Sequence, residues 1–234
     1  MSAARGLAVV TGASKGMGAA CATALVEQGY DVVGVSRSAP ADPRVRHAHC
    51  DLAVTAQRRD LIEQLDPHGR LTVIVFAAGI TSTQLLMTRT VADATRVWQV
   101  NLLATADLGS QSMSRLHQSG GRGRLIAVSS MGGFFGSGGV SDYSAAKTGL
   151  VGLVRSWARD LGADATANVL APGLVETDML GELTGKAWRY AMSSAALDRV
   201  GNTLDVTAAL QALLDNSAIN GVVLPVAGGF GLGA

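Results

Sequence analysis

Tyr143-Ser144-Ala145-Ala146-Lys147 sets a phenol and an ammonium four residues apart in a stretch with helical spacing, which puts both on one face, one turn apart. A phenol with an ordinary pKa of about 10 gives up its proton poorly near neutrality, and a neighbouring cation helps by stabilising the phenolate. The pair therefore reads as a general acid with its tuning group. Ser130 lies thirteen positions before the tyrosine, at the C-terminal end of an apolar run, where its hydroxyl can hold a carbonyl oxygen. YxxxK alone is more often an exposed helix pair. Its company here includes Thr11-Gly12-Ala13-Ser14-Lys15-Gly16-Met17-Gly18, a TGxxxGxG run directly after the first apolar segment. Glycines there free the backbone to wrap a diphosphate, and the helix that follows offers its N-terminal amides to the anion.

Those groups need a scaffold, and the chain spells one out. Short runs at Leu7–Thr11, Asp31–Ser36, Val45–Asp51, Leu71–Ala77, Arg124–Ser129, Thr166–Leu170 and Gly221–Val226, most of them apolar, read as strands. Helical stretches separate them at Met17–Gln28, Gln57–Leu65, Val91–Ser114, Tyr143–Leu161 and Val206–Asp215, with a polar helical insertion around 181–196. Strands apolar on both faces, alternating with helices, predict an α/β fold of the Rossmann type: a doubly wound parallel sheet covered on each side. Arg37–Arg46 holds two prolines and no helical period, so no helix is expected there. Nothing marks a linker or repeat, and residues 1–234 read as a single domain with a substrate lid around 179–200.

With 48% hydrophobic and 16% charged residues, the 234-residue chain can bury a large aliphatic core without staples. Its 19 Lys and Arg against 18 Asp and Glu leave no basic face for a nucleic acid. No apolar run is long enough to span a bilayer, and the first residues lack a signal peptide's apolar region. Two cysteines, Cys21 and Cys50, are too few for a disulfide framework, so a cytoplasmic setting with no membrane partner is expected. His47, His49, Cys50 and Asp51 crowd together, but alternate strand residues point to opposite faces, and no metal site is expected.

Taken together, TGASKGMG, Ser130 and YSAAK resemble the short-chain dehydrogenase/reductase family over essentially the whole chain. The resemblance implies that Tyr143 is the proton donor in reduction, that Lys147 tunes it and binds the nicotinamide ribose, and that Ser130 positions the substrate oxygen. It also implies that Asn101, in Asn101-Leu102, supports a water relay, and that Asp51 and Leu52 contact the adenine. Pro172, Gly173, Val175 and Thr177 match the segment that holds the nicotinamide carboxamide. Gly12, Ser14, Lys15, Gly16, Met17 and Gly18 then cradle the diphosphate, with Ala78 and Gly79 completing the cofactor wall. The family's usual Asn-Asn-Ala-Gly is Phe76-Ala77-Ala78-Gly79 here, so both amides are missing and the change bears on local sheet and loop contacts. An acidic residue that commonly precedes the paired glycines near the C-terminus is also replaced, by Ala227.

Cofactor choice is read from Val35-Ser36-Arg37-Ser38, where hydroxyls and a guanidinium replace the carboxylate that would grip a free ribose diol. Arg37 can meet a 2′-phosphate with charge-assisted bonds, and Lys15 can approach it as a point charge. NADPH is therefore expected, with NAD as the other option.

Ile80–Met87, Leu174–Met179 and Arg199-Val200-Gly201 look most like β-ketoacyl-acyl-carrier-protein reductases. The expected reaction is reduction of a ketone resembling a 3-oxoacyl thioester, carried on an acyl carrier or CoA, to a secondary alcohol. The alternative is a dehydrogenase of a hydroxyacyl thioester or a small cyclic alcohol. An acidic carrier needs bases beside the mouth, and Arg122 and Arg124 stand as the options. Phe134 and Phe135, between Ser130 and Tyr143 in a glycine-rich loop, are read as an apolar substrate wall, with Trp188, Tyr190 and Met192 on the inner face of the lid. Ala145, Gly149 and Gly152 form a small-residue stripe on the helix of Tyr143, and by resemblance that helix helps build a homotetramer.

Overall fold

The computed structural model describes residues 5–68, 70–136, 138–180, 185, 188, 192–193, 195–197 and 199–230. Seven strands pair into one parallel sheet: β1 (Leu7–Thr11), β2 (Asp31–Ser36), β3 (Arg46–His49), β4 (Leu71–Phe76), β5 (Gly123–Val128), β6 (Ala165–Pro172) and β7 (Val223–Val226); the edge strand β3, Arg-His-Ala-His, is polar and mostly exposed. Their order is β3-β2-β1-β4-β5-β6-β7. In β1, β4, β5 and β6 every residue is buried, which is why runs such as Leu7–Val10 and Val73–Phe76 are apolar at consecutive positions, while Arg124, Thr166 and Asn168 are buried polar exceptions.

Helices cover both faces. On one, Leu108 of α5 (Ala104–His117) packs with Leu150, Val154 and Trp157 of α7 (Ser141–Asp160). On the other, Cys21 and Leu25 of α1 (Gly16–Glu27) pack with Leu210 and Leu213 of α8 (Thr203–Asp215). The chain runs outward from β1 in one direction through β2 and β3 and in the other through β4 to β7, so a crevice opens at the strands' C-terminal ends between β1 and β4. The stretch from Arg37 to β3 carries no helix, in keeping with its prolines.

Three elements differ from the sequence reading. The expected helix over Gln57–Leu65 is broken into α2 (Thr55–Arg58) and α3 (Leu61–Leu65) by Asp60 at φ 55°. The break turns Arg58 inward, where it is 2% exposed and donates to Asp107, Thr55, Gln99 and the Leu52 carbonyl. The Gln111 amide plugs the gap, accepting from Ile62 N–H at 3.1 Å and donating to the Arg58 carbonyl at 2.8 Å. The long helix expected over Val91–Ser114 is α4 (Val91–Trp98), a π-helical turn at Gln99–Leu103, and α5. Such turns insert a residue into a helix and recur at functional sites. Finally, Met131–Phe135 coils into the short helix α6 where a glycine loop was expected. Most of the 181–196 insertion, including Tyr190, lies outside the described residues; within it Trp188 and Met192 are helical and partly buried.

Candidate active site

β5 ends just before Ser130, whose extended backbone caps α6, and α7 brings Tyr143 and Lys147 back across the sheet's C-terminal edge. The Tyr143 phenol lies near the Ser130 hydroxyl. Lys147 is 4% exposed and its Nζ donates to the Val128 carbonyl at 2.8 Å. Burial pushes this ammonium down from its ordinary 10.5 to about 8. Tyr143 departs from expectation: burial raises its phenol above the ordinary value, and the nearby Ser130 hydroxyl only opposes that rise. Four-residue spacing did bring Lys147 to the same region, and one of the three protons of its ammonium is directed at Val128.

Asn101 sits in the π-helical turn, 1% exposed. Its side-chain amide is fully engaged by the backbone of Ile80: Nδ2 donates to the carbonyl and Oδ1 accepts from the N–H, both at 2.8 Å. The side chain thereby fixes the chain as it leaves β4. A methyl group built on Gly79 would stand 3.2 Å from Lys147 Nζ and 3.4 Å from Asn101 Oδ1, so at this point the backbone runs directly over both polar ends.

A cavity of about 610 Å³ opens next to these groups in the crevice between β1 and β4. It is lined by Gly12, Ser14, Lys15, Gly16, Met17 and Gly18, by Ser36 and Arg37, by Asp51 and Leu52, and by Ala78, Gly79 and Thr177, all expected from the sequence. Of the expected cofactor residues, Tyr143, Lys147, Pro172, Gly173 and Val175 are not in that lining; Val175 is buried and forms a parallel bridge to Gly201. The glycine loop is shaped for close approach: Gly12 has φ 73°, and a Cβ there would meet the Ala78 Cα at 2.7 Å. A Cβ on Gly18 would meet the Gly12 carbonyl oxygen at 2.2 Å, so the start of α1 is pressed onto the loop. A backbone cradle opening on a helix N-terminus, within a cavity of this size, fits a dinucleotide.

Arg37 is exposed at the cavity wall and makes no hydrogen bond or ion pair among the described residues. The Ser36 hydroxyl donates to the Ser38 carbonyl at 2.7 Å, which shapes the turn carrying Arg37. Lys15 is less available than its position promised, because it pairs with Asp178 at 3.0 Å across the cavity mouth. Both partners are largely exposed, so the pair is weak and exchangeable.

Sequence reasoning missed Arg96. This side chain of α4 lines the cavity and stands 3.8 Å from the Asp51 carboxylate. Nothing in its local pattern distinguishes it from a solvated helix charge; only the fold brings it to Asp51. Phe76 resolves one departure from the family pattern, for it is buried at 2% exposure with its ring centroid 6.4 Å from that of Trp157. Ala78 N–H in turn donates to the Thr11 hydroxyl at 3.2 Å, which ties β4 to β1.

Arg124 corrects another reading. It is 8% exposed, donating to the carbonyls of Leu214, Gly121 and Gly123, at the N-terminal end of β5 and so at the opposite edge of the sheet from Ser130. Arg122 donates to the Ser119 carbonyl at that same edge. Neither is at the mouth of the site. Phe134 and Phe135 are 38% and 51% exposed on α6, and Phe135 meets Phe230 edge to face at 5.8 Å between centroids.

Comparison with known proteins agrees with this geometry. The family model described as short chain dehydrogenase matches residues 6–188. The 3-oxoacyl-(acyl-carrier-protein) reductase MabA of Mycobacterium tuberculosis is 33% identical over 229 residues, 96% of this chain and 92% of its own. The human 3-oxoacyl-(acyl-carrier-protein) reductase is 34% identical over 233 residues, 95% and 97% of the two chains. Among solved structures, 4-hydroxyisoleucine dehydrogenase complexed with NADH superposes with a TM-score of 0.90 at 23% identity, over 98% of this chain and 100% of its own, a likeness of fold. On the match from residue 6 to 188 and relatives alike over nearly their full length, the chain belongs to the short chain dehydrogenase family of oxidoreductases.

Proposed function

We propose that this protein is an NADPH-dependent reductase that converts a ketone resembling a 3-oxoacyl thioester to a secondary alcohol. The observation that carries the reading is the adjacency of the Ser130 and Tyr143 hydroxyls, with Lys147 buried one helical turn on, at the sheet edge where the dinucleotide-sized cavity opens. Bound in that cavity, the nicotinamide supplies the hydride. Ser130 holds the carbonyl oxygen, Tyr143 gives that oxygen its proton, and Lys147 takes up part of the charge left on the phenolate. Arg37, exposed and unengaged among the described residues, supports recognition of a 2′-phosphate.

The thioester class rests on the reductase-named relatives, and the carrier, protein or CoA, is recognised by groups other than Arg122 and Arg124. Phe134, Phe135 and Trp188 form the apolar side of the substrate cleft, with residues 179–200 as its lid. A homotetramer is the proposed assembly; Ala145 and Gly152 are exposed on α7, whereas Gly149 lies against Leu102. Among the described residues no helix is long and apolar enough to cross a membrane, and the cytoplasm is the proposed location.

The test follows NADPH oxidation with acetoacetyl thioesters on CoA and on carrier protein, beside quinones, cyclic ketones and aldehydes. Fastest turnover of a thioester supports the reading. Turnover only as oxidation of hydroxyacyl thioesters or cyclic alcohols assigns the dehydrogenase direction, and preference for a quinone or aldehyde overturns the substrate class.

A further inference from the structure

Asp142 precedes Tyr143 in the first turn of α7 and takes no part in the chemistry above. Its carboxylate accepts from both Nε and Nη2 of Arg89, the latter at 3.0 Å, and from Trp98 Nε1 at 3.0 Å. The side chains of Arg89 and Asp142 are only 32% and 18% exposed. A two-pronged guanidinium bond with a third donor, half withdrawn from water, fixes geometry far better than a solvated pair.

The segment that Arg89 belongs to gives the contact its reach. After β4 ends at Phe76 it passes over Lys147 at Gly79, and Asn101 holds Ile80 there. Midway, Gln84 N–H donates to the Gly139 carbonyl at 2.8 Å, just ahead of α7. It then reaches Asp142 through Arg89 and enters α4, which carries Trp98. One continuous segment is thus pinned beside Lys147 at its start and beside Tyr143 at its end.

We propose that Asp142 is a positioning residue for Tyr143: by gripping Arg89 and Trp98 it fixes the first turn of α7 against the 80–90 segment and α4, and so sets where the Tyr143 hydroxyl stands relative to Ser130. The proposal rests on Tyr143 being the proton donor. Proton transfer is sensitive to placement, and a displacement of about 1 Å can cost on the order of a hundredfold in rate. An amide at 142 presents one oxygen where Arg89 needs two, so Asp142→Asn breaks the two-pronged bond with little change in volume.

The experiment compares wild type with Asp142→Asn, Arg89→Met and Arg89→Lys on a ketone that wild type reduces, measuring kcat and KM across pH, NADPH binding by fluorescence and thermal melting. Expected for Asp142→Asn and Arg89→Met is a fall in kcat of roughly tenfold or more, NADPH binding within about twofold of wild type, and a shifted limb in the pH profile of kcat. Arg89→Lys recovers part of the loss. Wild-type kcat and pH profile in Arg89→Met overturn the proposal, as does a loss of kcat with an unmoved profile that Arg89→Lys does not relieve. Should Asp142→Asn fail to fold, the two Arg89 variants decide alone. If wild type turns over no ketone or alcohol with either nicotinamide, the donor reading of Tyr143 falls and takes this proposal with it, whereas active wild type with indifferent variants sinks the proposal only.

Discussion

Lys147 Nζ donates to the carbonyl oxygen of Val128 at 2.8 Å, so an ammonium that is 4% exposed is anchored to the last residue of β5. Burial has lowered it from 10.5 to about 8, which fixes a stability window. Below pH 8 the group is charged in both the folded and unfolded chain, and the full burial penalty, on the order of 3 kcal/mol, is present. Between about 8 and 10.5 the folded chain releases a proton that the unfolded chain keeps, so stability rises with pH. Lys147→Met should therefore be more stable than wild type at neutral pH, with the gap narrowing toward pH 10.5 in urea melts. A gap that stays constant would contradict this.

Tyr143→Phe keeps the ring at the start of α7 and removes the hydroxyl that lies near Ser130. Turnover should fall by a factor of about a thousand or more while NADPH binding stays near wild type. Near-normal ketone reduction by a variant that binds NADPH would mean the proton comes from elsewhere.

Arg37→Ala should erode the proposed preference for NADPH. The side chain makes no bond to another described residue, so its loss disturbs little else, and a phosphate contact of this type is worth about tenfold or more in kcat/KM. Steady-state constants with both nicotinamides decide it, and an unchanged ratio would move phosphate recognition to Lys15 or Arg96.

Gln111→Ala should cost about 1–3 kcal/mol, because it strands Ile62 N–H and the Arg58 carbonyl at the break between α2 and α3. Denaturant melts measure the loss. Cofactor affinity should be unaffected, since Gln111 does not line the cavity.

Strand positions and the glycine loop were legible because both follow from local rules: consecutive apolar residues mark strands covered on two faces, and a Cβ at Gly12 or Gly18 has nowhere to go. The Ser130, Tyr143 and Lys147 set was legible for the same reason, since helical spacing and a strand end fix where they emerge. What the sequence hid depends on partners far along the chain. The π-helical turn keeps an ordinary helical pattern of apolar residues, and only the bond between Asn101 and Ile80 gives a reason for it. Asp60 breaks its helix because Arg58 must reach Asp107, forty-nine residues away. Arg124 looked like a surface base because nothing near it in sequence announces the Leu214 carbonyl that buries it.

The sheet order has a kinetic consequence. β1, the first strand made, lies between β2 and β4, and its Leu7 pairs with Leu71. Half of its hydrogen-bonding edge must wait for β4, and the loop between them has to close before any of that pairing is rewarded. Refolding should thus be slower than for a helical bundle of similar length, with β1 exposing one bare edge to other unfolded chains in the interval.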